Sequence, residues 1–507
     1  MDELKHLEMR NCRSVADIVE GMGQCSIGAR MLGEVAGTIV KWIEGKKPPL
    51  AIYDGKLDNP FGRLLEEMVD RGWFLQIYTP EDYVRRSKRT GIKENAIVIG
   101  TYPERIEDYL FDGLQVTIFI NQFGITKLDQ ITDGYFPNVV FADPRFVIPI
   151  IFSVLEEKLN KRPETITKFI EKLSQYGGLA SEVQKGAYTL FTMVEDPECN
   201  VFLTLSGVMT IAKMGLVICD MIETGMVQLI CSTGALMAHG LVESIGLKHF
   251  KYNPGDDDAT LAKNRINRVT DTLELESNLD HIEGIVDEVL RSCCERDFLS
   301  PRIFHAMIGK YLSEKYPDEA GILKSAYEKK VPVLVPAFHD SEIGNDLYLH
   351  NRKRETGNKS PIIMNQELDS QFLIDMVSNS KKIGIFTIGG GVPRNYIQNV
   401  APLIEIMNER LAHKLPMKKF SYGCRICPDP MYYGHLSGCT YSEGMSWRKM
   451  ETNGQFSEIR ADATQIWPFL VKFVLENQKS IENKKSFEKS SDGTSQYMAG
   501  ELSGKLT

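Results

Sequence analysis

The chain lacks an excess of positive charge, lacks any long apolar run, and has few cysteines for its length. Each shortage narrows what it can be. Its 507 residues carry 59 Lys and Arg against 68 Asp and Glu, a formal net charge of −9. A general nucleic-acid binder presents a basic face, so this balance argues against one. It leaves room for polyamines, cations that an acidic cleft attracts. No apolar stretch reaches the roughly eighteen residues that a bilayer span requires, so no membrane partner is expected. Met1-Asp2-Glu3-Leu4-Lys5 is charged and no apolar core follows it, which argues against a secretory signal. Ten irregularly spaced cysteines read as reduced cytoplasmic thiols rather than as a disulfide framework.

What is present is the pattern of a large globular protein. Hydrophobic residues make up 43% and charged residues 25%, as in ordinary folded chains. A length of 507 residues exceeds what one core organises, so two or more domains are expected. Strand-like runs alternate with helical spacing, which predicts an α/β fold with a mostly parallel sheet and helices on both faces. Early in the chain Val15 to Trp42 and Pro60 to Arg71 read as helices. Pro49 to Tyr53, Phe74 to Tyr78, Ala96 to Gly100, Val116 to Ile120 and Val139 to Phe141 read as strands. The charged stretch Glu156 to Glu164 marks a boundary between an additional α/β segment, 1–160, and a larger unit, 161–476.

In the larger unit Thr165 to Met193, Leu216 to Glu223, Met364 to Ser380 and Thr464 to Glu476 read as helices. Val201 to Leu205, Val227 to Cys231, Val331 to Pro336, Lys382 to Ile388 and Ser457 to Ile459 read as strands. Residues 14–72 can be laid on 165–225 at a nearly constant offset, so a degenerate duplication is one account of the first segment. Residues 477–507, rich in Lys, Ser and Gly, are expected to be a disordered tail.

Four groups of residues carry chemistry. Ile388-Gly389-Gly390-Gly391 ends a strand and precedes a helix expected near Asn395, a place where backbone N–H groups can meet a phosphate. A tight turn without a ligand is the alternative. Gly21-x-Gly23 with Gly28 imitates a dinucleotide fingerprint but follows no strand, and reads as helix and turn glycines. Thr233-Gly234-Ala235 forms a second edge for a cofactor, and Asp462-Ala463 a third, where Asp462 either accepts from a ribose hydroxyl or caps the final helix. Lys449 stands near Trp447 and Glu443. An amine becomes a nucleophile when desolvation lowers its pKa, and an indole supplies the apolar wall. Glu443 can anchor the cationic end of an amine. His339, Asp340 and Glu342 match no metal-site spacing, and Cys424-x-x-Cys427 lacks the second pair of a zinc site, so no metal is expected.

Cys199 to Leu203, Ser232 to Ala235, Pro336 to Ser341, Gly389 to Pro393, Gly434 to Gly438 and Glu443 to Lys449 follow a known order and spacing. On them the chain resembles the deoxyhypusine synthase family, which includes related homospermidine synthases, over roughly Thr165 to Glu476. The resemblance implies a Rossmann-like α/β domain that binds NAD and assembles as a homotetramer with active sites at subunit interfaces. It implies that NAD takes hydride from the carbon beside spermidine's secondary amine. Lys449 then holds the aminobutyl group as an imine while 1,3-diaminopropane leaves, and an acceptor amine displaces it before the hydride returns. The acceptor is a lysine of the initiation factor 5A precursor, or putrescine in homospermidine synthases.

By the same resemblance Lys449 is the nucleophile, with Trp447 and Glu443 beside the substrate. Thr233, Gly234, Ala235, Asp340, Gly390, Asp462 and Ala463 fall on NAD contacts, and Gly434, Ser437 and Gly438 on a loop closing over the amine. Four positions are altered: His239 replaces a glutamate, Asn345 an acid for which Asp346 can substitute after a one-residue shift, Asn395 a histidine, and Leu436 an acid that eukaryotic members carry. Each lost carboxylate removes about 1.5–3 kcal/mol of charge-assisted hydrogen bonding. The transfer machinery is therefore expected to be kept and the amine specificity changed. Ser26 to Glu34 resembles the start of a prokaryotic member with an α/β insertion after it. A non-catalytic NAD- or polyamine-binding homologue is the alternative of another class.

Overall fold

The computed structural model describes residues 1–90, 95–100, 118–121, 139–253, 255–291 and 298–478. Two parallel sheets organise them. The first contains β1 (Leu50–Tyr53), β2 (Ile77–Tyr78), β3 (Ala96–Gly100), β4 (Ile118–Asn121) and β5 (Val139–Val140), in the order β2-β1-β3-β4-β5. Next come β6 (Cys199–Leu205), β7 (Leu229–Ser232), an antiparallel trio of β8 (Phe250–Lys251), β9 (Ile266–Val269) and β10 (Thr272–Leu275), and the short β11 (Phe298–Leu299). After these follow β12 (Val333–Leu334), β13 (Ile363–Met364), β14 (Lys382–Ile388), β15 (Phe420–Ile426) and β16 (Met450–Ile459).

The second large sheet runs β12-β7-β6-β14-β15-β16 with every neighbour parallel. Counted by the chain order of its own strands this is 3-2-1-4-5-6, the doubly wound Rossmann order, whose crevice lies between strands 1 and 4. Those strands are β6 and β14. Val201, Phe202 and Leu203 on β6 and Ile383, Ile385 and Phe386 on β14 are buried on both faces, as a sheet covered by helices on each side requires. The expected Rossmann-like α/β fold is thus present. Gly384 has no room for a side chain: an added Cβ would lie 2.5 Å from Met193 Sδ on the helix Gly178–Glu195.

Several element boundaries differ from expectation, each for a local reason. The helix expected from Val15 to Trp42 is two, Val15–Met22 and Ile27–Glu44, which cross where a Cβ on Gly33 would meet Gly23 N at 2.3 Å. The helix expected from Thr165 to Met193 is interrupted between Ile166–Lys172 and Gly178–Glu195, because Gly177 and Gly178 take φ of +71° and +50°. The strand expected from Val331 to Pro336 shrinks to β12, since the prolines at its ends donate no ladder bond. That from Phe74 to Tyr78 shrinks to β2. β16 is longer than expected and begins directly after Lys449. Residues 116–117 and the tail beyond Gln478 lie outside the described residues.

Residues 1–44 pack on the larger unit. Arg30 is fully buried, with Nη2 3.2 Å from Asp271 Oδ2, and Ser26 Oγ donates to Asp271 Oδ1 at 2.5 Å. Ala29 N donates to Thr464 Oγ1 at 3.0 Å at the start of the final helix, Ala463–Asn477. The β1–β5 sheet lies in sequence between the helix Ile27–Glu44 and the helix Pro144–Asn160. A duplicated unit carries its strand order with it. The order 2-1-3-4-5 of the first sheet shares with 3-2-1-4-5-6 the pairings of strands 1 with 2 and 4 with 5, and differs in that strand 1 meets strand 3 rather than strand 4. Among the described residues no helix is long and apolar enough to cross a membrane.

Candidate functional site

The site is built at the C-terminal ends of β6 and β14. Gly390 N donates to Ser206 Oγ at 2.8 Å, and that hydroxyl donates to Ile388 O at 3.1 Å, so the residue after β6 clamps the turn after β14. Gly389 and Gly391 take φ of +79° and +65°, left-handed values that favour glycine. At Gly390 the constraint is space: a Cβ would lie 2.5 Å from Ser437 Cα. A cavity of about 350 Å³ opens here, lined among others by Ser206, Thr233, Gly234, Asp340, Gly390 and Ser437. Two helices begin at its wall, Gly234–Glu243 and Gly391–Gln398, and neither has a side-chain cap. Thr233 Oγ1 is buried without a hydrogen-bond partner. Uncapped helix N-termini and an orphaned hydroxyl are what a diphosphate needs, so these residues fit a dinucleotide such as NAD.

A second cavity, of about 300 Å³, shares Gly391 with the first and is lined by Arg394, Asn395, Leu436, Glu443, Trp447 and Lys449 among others. Thr440 caps the short helix Tyr441–Ser446 by accepting from Glu443 N at 3.1 Å. The chain then turns through Arg448, a non-glycine residue at φ +59°, whose Nε is 2.5 Å from Glu405 Oε2. Lys449 follows at the entrance to β16, where its carbonyl accepts from Phe420 N at 3.0 Å. Its Nζ donates to Asn395 Oδ1 at 2.8 Å and lies 5.8 Å from the Trp447 ring centroid. Burial lowers the Lys449 pKa and the Arg394 charge lowers it further, against smaller opposing effects of Cys439 and Glu443. A half-buried amine so placed is a nucleophile in waiting.

The loop between the cavities is pinned from beneath. Arg425 on β15, 3% exposed, donates through Nη1 to Ser437 O at 2.5 Å and to Cys439 O at 2.7 Å. Ser437 Oγ donates to Asp429, and Gly438 packs so closely under Pro430 that a Cβ would lie 2.6 Å from its carbonyl oxygen. Gly434 lies in open space, and Trp447 is 63% exposed. Sequence reasoning missed Ser206, Arg394, Arg425 and Asp429. Ser206 had a signal, since it directly follows a buried strand. Arg394, in the helix opened by the glycine run, had one too. Arg425 had none, because its role exists only once β15 lies under the loop.

Other expected residues are placed elsewhere. His239 turns from both cavities toward Glu274, Nδ1 to Oε2 2.7 Å. Glu274 pairs with His249 at 3.1 Å, His249 with Lys213 at 3.0 Å, and Lys213 with Glu243 at 2.9 Å, all buried. His239, His249 and Glu274 are close enough together to hold a metal ion, an arrangement no sequence spacing signals. Asn345 is exposed on the helix Glu342–Thr356 and lines neither cavity. Its neighbour Asp346 is pushed up to about 7 by burial and by Glu283 and Glu342. Asp462 is an N-cap: it accepts from Thr464 N and Thr464 Oγ1, each at 2.9 Å, and Gly28 packs against its other side. Ala463 opens the final helix and Ala235 is the second residue of the helix after β7; neither lines either of the two cavities.

Comparison with known proteins agrees with this geometry. A family model described as deoxyhypusine synthase matches residues 168–474, the span that holds both cavities. A deoxyhypusine synthase-like protein of Chlorobaculum tepidum is 31% identical over 306 residues, covering 60% of this chain and 85% of that one. A protein of Methanosarcina acetivorans named "Probable deoxyhypusine synthase 2" is 27% identical over 312 residues, covering 62% and 87%. The chain belongs to the deoxyhypusine synthase family.

Proposed function

We propose that the chain is an NAD-dependent aminoalkyl transferase in which Lys449 is the covalent nucleophile. The observation that carries this reading is the Lys449 amine in the wall of the second cavity, held by Asn395 and bordered by Trp447, next to a cavity that fits a dinucleotide. NAD, when bound, supplies hydride removal from the carbon beside a substrate amine and its later return. The residues do the rest. Ser206, Thr233, Gly234 and Gly390 hold the cofactor's phosphates. Glu443 draws the amine's cationic end, Trp447 covers its chain, and Lys449 attacks the oxidised carbon, breaks its bond to the donor nitrogen, which leaves as an amine, and holds the carbon as an imine that an acceptor amine displaces.

Spermidine is the reference donor. A lysine of the initiation factor 5A precursor and putrescine are the two candidate acceptors, and Leu436 and Asn345, in place of acids, favour the small one. Residues that line neither cavity, such as Asn345, are those that a second subunit of a homotetramer would bring to the site.

The test is to incubate the protein with NAD and a panel of amines headed by spermidine, trap with borohydride, and weigh the intact chain. An adduct mapped to Lys449 and absent in Lys449→Ala supports the reading. No adduct with any amine, while NAD binds, would leave a non-catalytic binding protein.

A further inference from the structure

Arg394 is the charged side chain of the second cavity to which this mechanism gives no contact with the substrate. It sits on the helix Gly391–Gln398, next to Asn395, and lines the cavity although its side chain is only 4% exposed. Its Nε is buried without a hydrogen-bond partner, and among the described residues no carboxylate, carbonyl or hydroxyl pairs with its guanidinium. The Tyr441 ring lies over it, with centroid 5.3 Å from Cζ. The nearby carboxylate of Glu458 is committed elsewhere: its Oε1 accepts from Tyr441 N at 2.7 Å and lies 3.5 Å from Arg425 Nη2.

A buried guanidinium without an anion is costly, and chains retain one where a ligand completes it. The charges of the cavity point the same way. Arg394 is a fixed cation, Lys449 acts as a neutral amine, and Glu443 is the one carboxylate among the lining residues, so a second ammonium of a polyamine would find no carboxylate left to hold it. Planar, bidentate recognition of a carboxylate is what an arginine fork does best.

We propose that the amine reaching Lys449 carries a carboxylate, held by Arg394, in place of the second ammonium of a polyamine. The substrate class is an amino acid with a terminal amine: Glu443 takes the ammonium end and Arg394 the carboxylate. This rests on the reading of Lys449 as an amine-handling nucleophile, and it accounts for the missing acid at position 436, which lines the same cavity. Gly389 and Gly390, which suit phosphates, line the other cavity, whereas Arg394 lines this one; the two cavities meet at Gly391.

Calorimetric titration of the full chain saturated with NAD tests it with matched pairs, ornithine against putrescine and lysine against cadaverine. The expected result is that the amino acid of each pair binds at least tenfold tighter. Arg394→Gln should abolish that preference with NAD affinity unchanged, and Arg394→Lys should keep part of it. The wild-type comparison alone decides if a variant fails to fold. Equal or tighter binding of the diamines overturns the proposal. Loss of NAD affinity in Arg394→Gln with the amine preference intact would assign the guanidinium to a cofactor phosphate and overturn it as well. A borohydride adduct on Lys449 from a diamine, with no carboxylate preference, sinks this inference and leaves the transferase standing. Absence of both adduct and amine binding removes both.

Discussion

Lys449 Nζ and Asn395 Oδ1 meet at 2.8 Å, joining the entrance of β16 to the helix that opens from the glycine turn. A neutral amide holds the amine without stabilising its charged form as a carboxylate would. Asn395→Asp places that carboxylate beside Nζ and should raise the Lys449 pKa by about one to three units. The nucleophile must be the neutral amine, so the rise of adduct formation with pH should move upward by the same amount. Initial rates of borohydride-trapped adduct across pH measure it. A profile that stays in place would mean that the contact does not govern the nucleophile.

The clamp between Ser206 and Gly390 predicts two graded losses. Ser206→Ala removes two hydrogen bonds, each worth about 1 kcal/mol, and should weaken NAD binding by roughly five- to thirtyfold. Gly390→Ala drives a methyl into the Ser437 backbone and should weaken it far more, with the melting temperature little changed. Fluorescence titration with NAD, alongside a melt, separates the two effects. Equal affinities in both variants would place the cofactor elsewhere.

Arg30 and Asp271 form a buried pair between the first residues of the chain and the β9–β10 hairpin. Arg30→Met leaves Asp271 uncompensated and should cost about 3–5 kcal/mol. The double variant Arg30→Met, Asp271→Leu should recover part of that. Urea denaturation of the three proteins checks it, and a double variant no more stable than the single would refute the pairing argument.

Glu274 gives stability an acid limit. Burial alone would raise its pKa, but hydrogen bonds and charge from His239 and His249 bring it down from 4.5 to about 2. A depressed carboxylate stabilises the fold above its unfolded pKa, so its contribution should fade as pH drops from about 4.5 toward 2, by roughly 3 kcal/mol in all. His249 is shifted the other way, raised by Glu243 and Glu274 against the burial that lowers it. Its contribution is complete below 6.5 and is lost as pH rises through its folded value. Thermal melts from acid to neutral pH should show the acid limb in the wild type, and Glu274→Gln should flatten it. An unchanged limb would show that the carboxylate does not carry it.

The linear order of residues was enough to place the buried strands β6 and β14, the glycine turn after Ile388 and the pairing of Lys449 with Trp447. Each of these is a local pattern: continuous apolar runs, residues that permit φ above zero, and neighbours a turn apart. Asn395 was marked as part of the site by the family resemblance, which places it in the helix after the glycine run. What the linear order could not supply were meetings across the sheet. The hydroxyl of Ser206 acts on Gly390 only because β6 lies beside β14, and Arg425 supports the loop only because β15 runs beneath it. His239, counted from the same strand as Thr233, turns to a buried glutamate 35 positions on. Asp462 takes the cap that the sequence offered as an alternative, through Thr464 two residues on, while Gly28 from the start of the chain packs against its other side. Local conformation follows from adjacent residues, whereas the direction in which a buried charge points is set by whichever distant partner offers it a hydrogen bond. Tertiary structure alone decided that Arg394 would face the cavity of Lys449 without one.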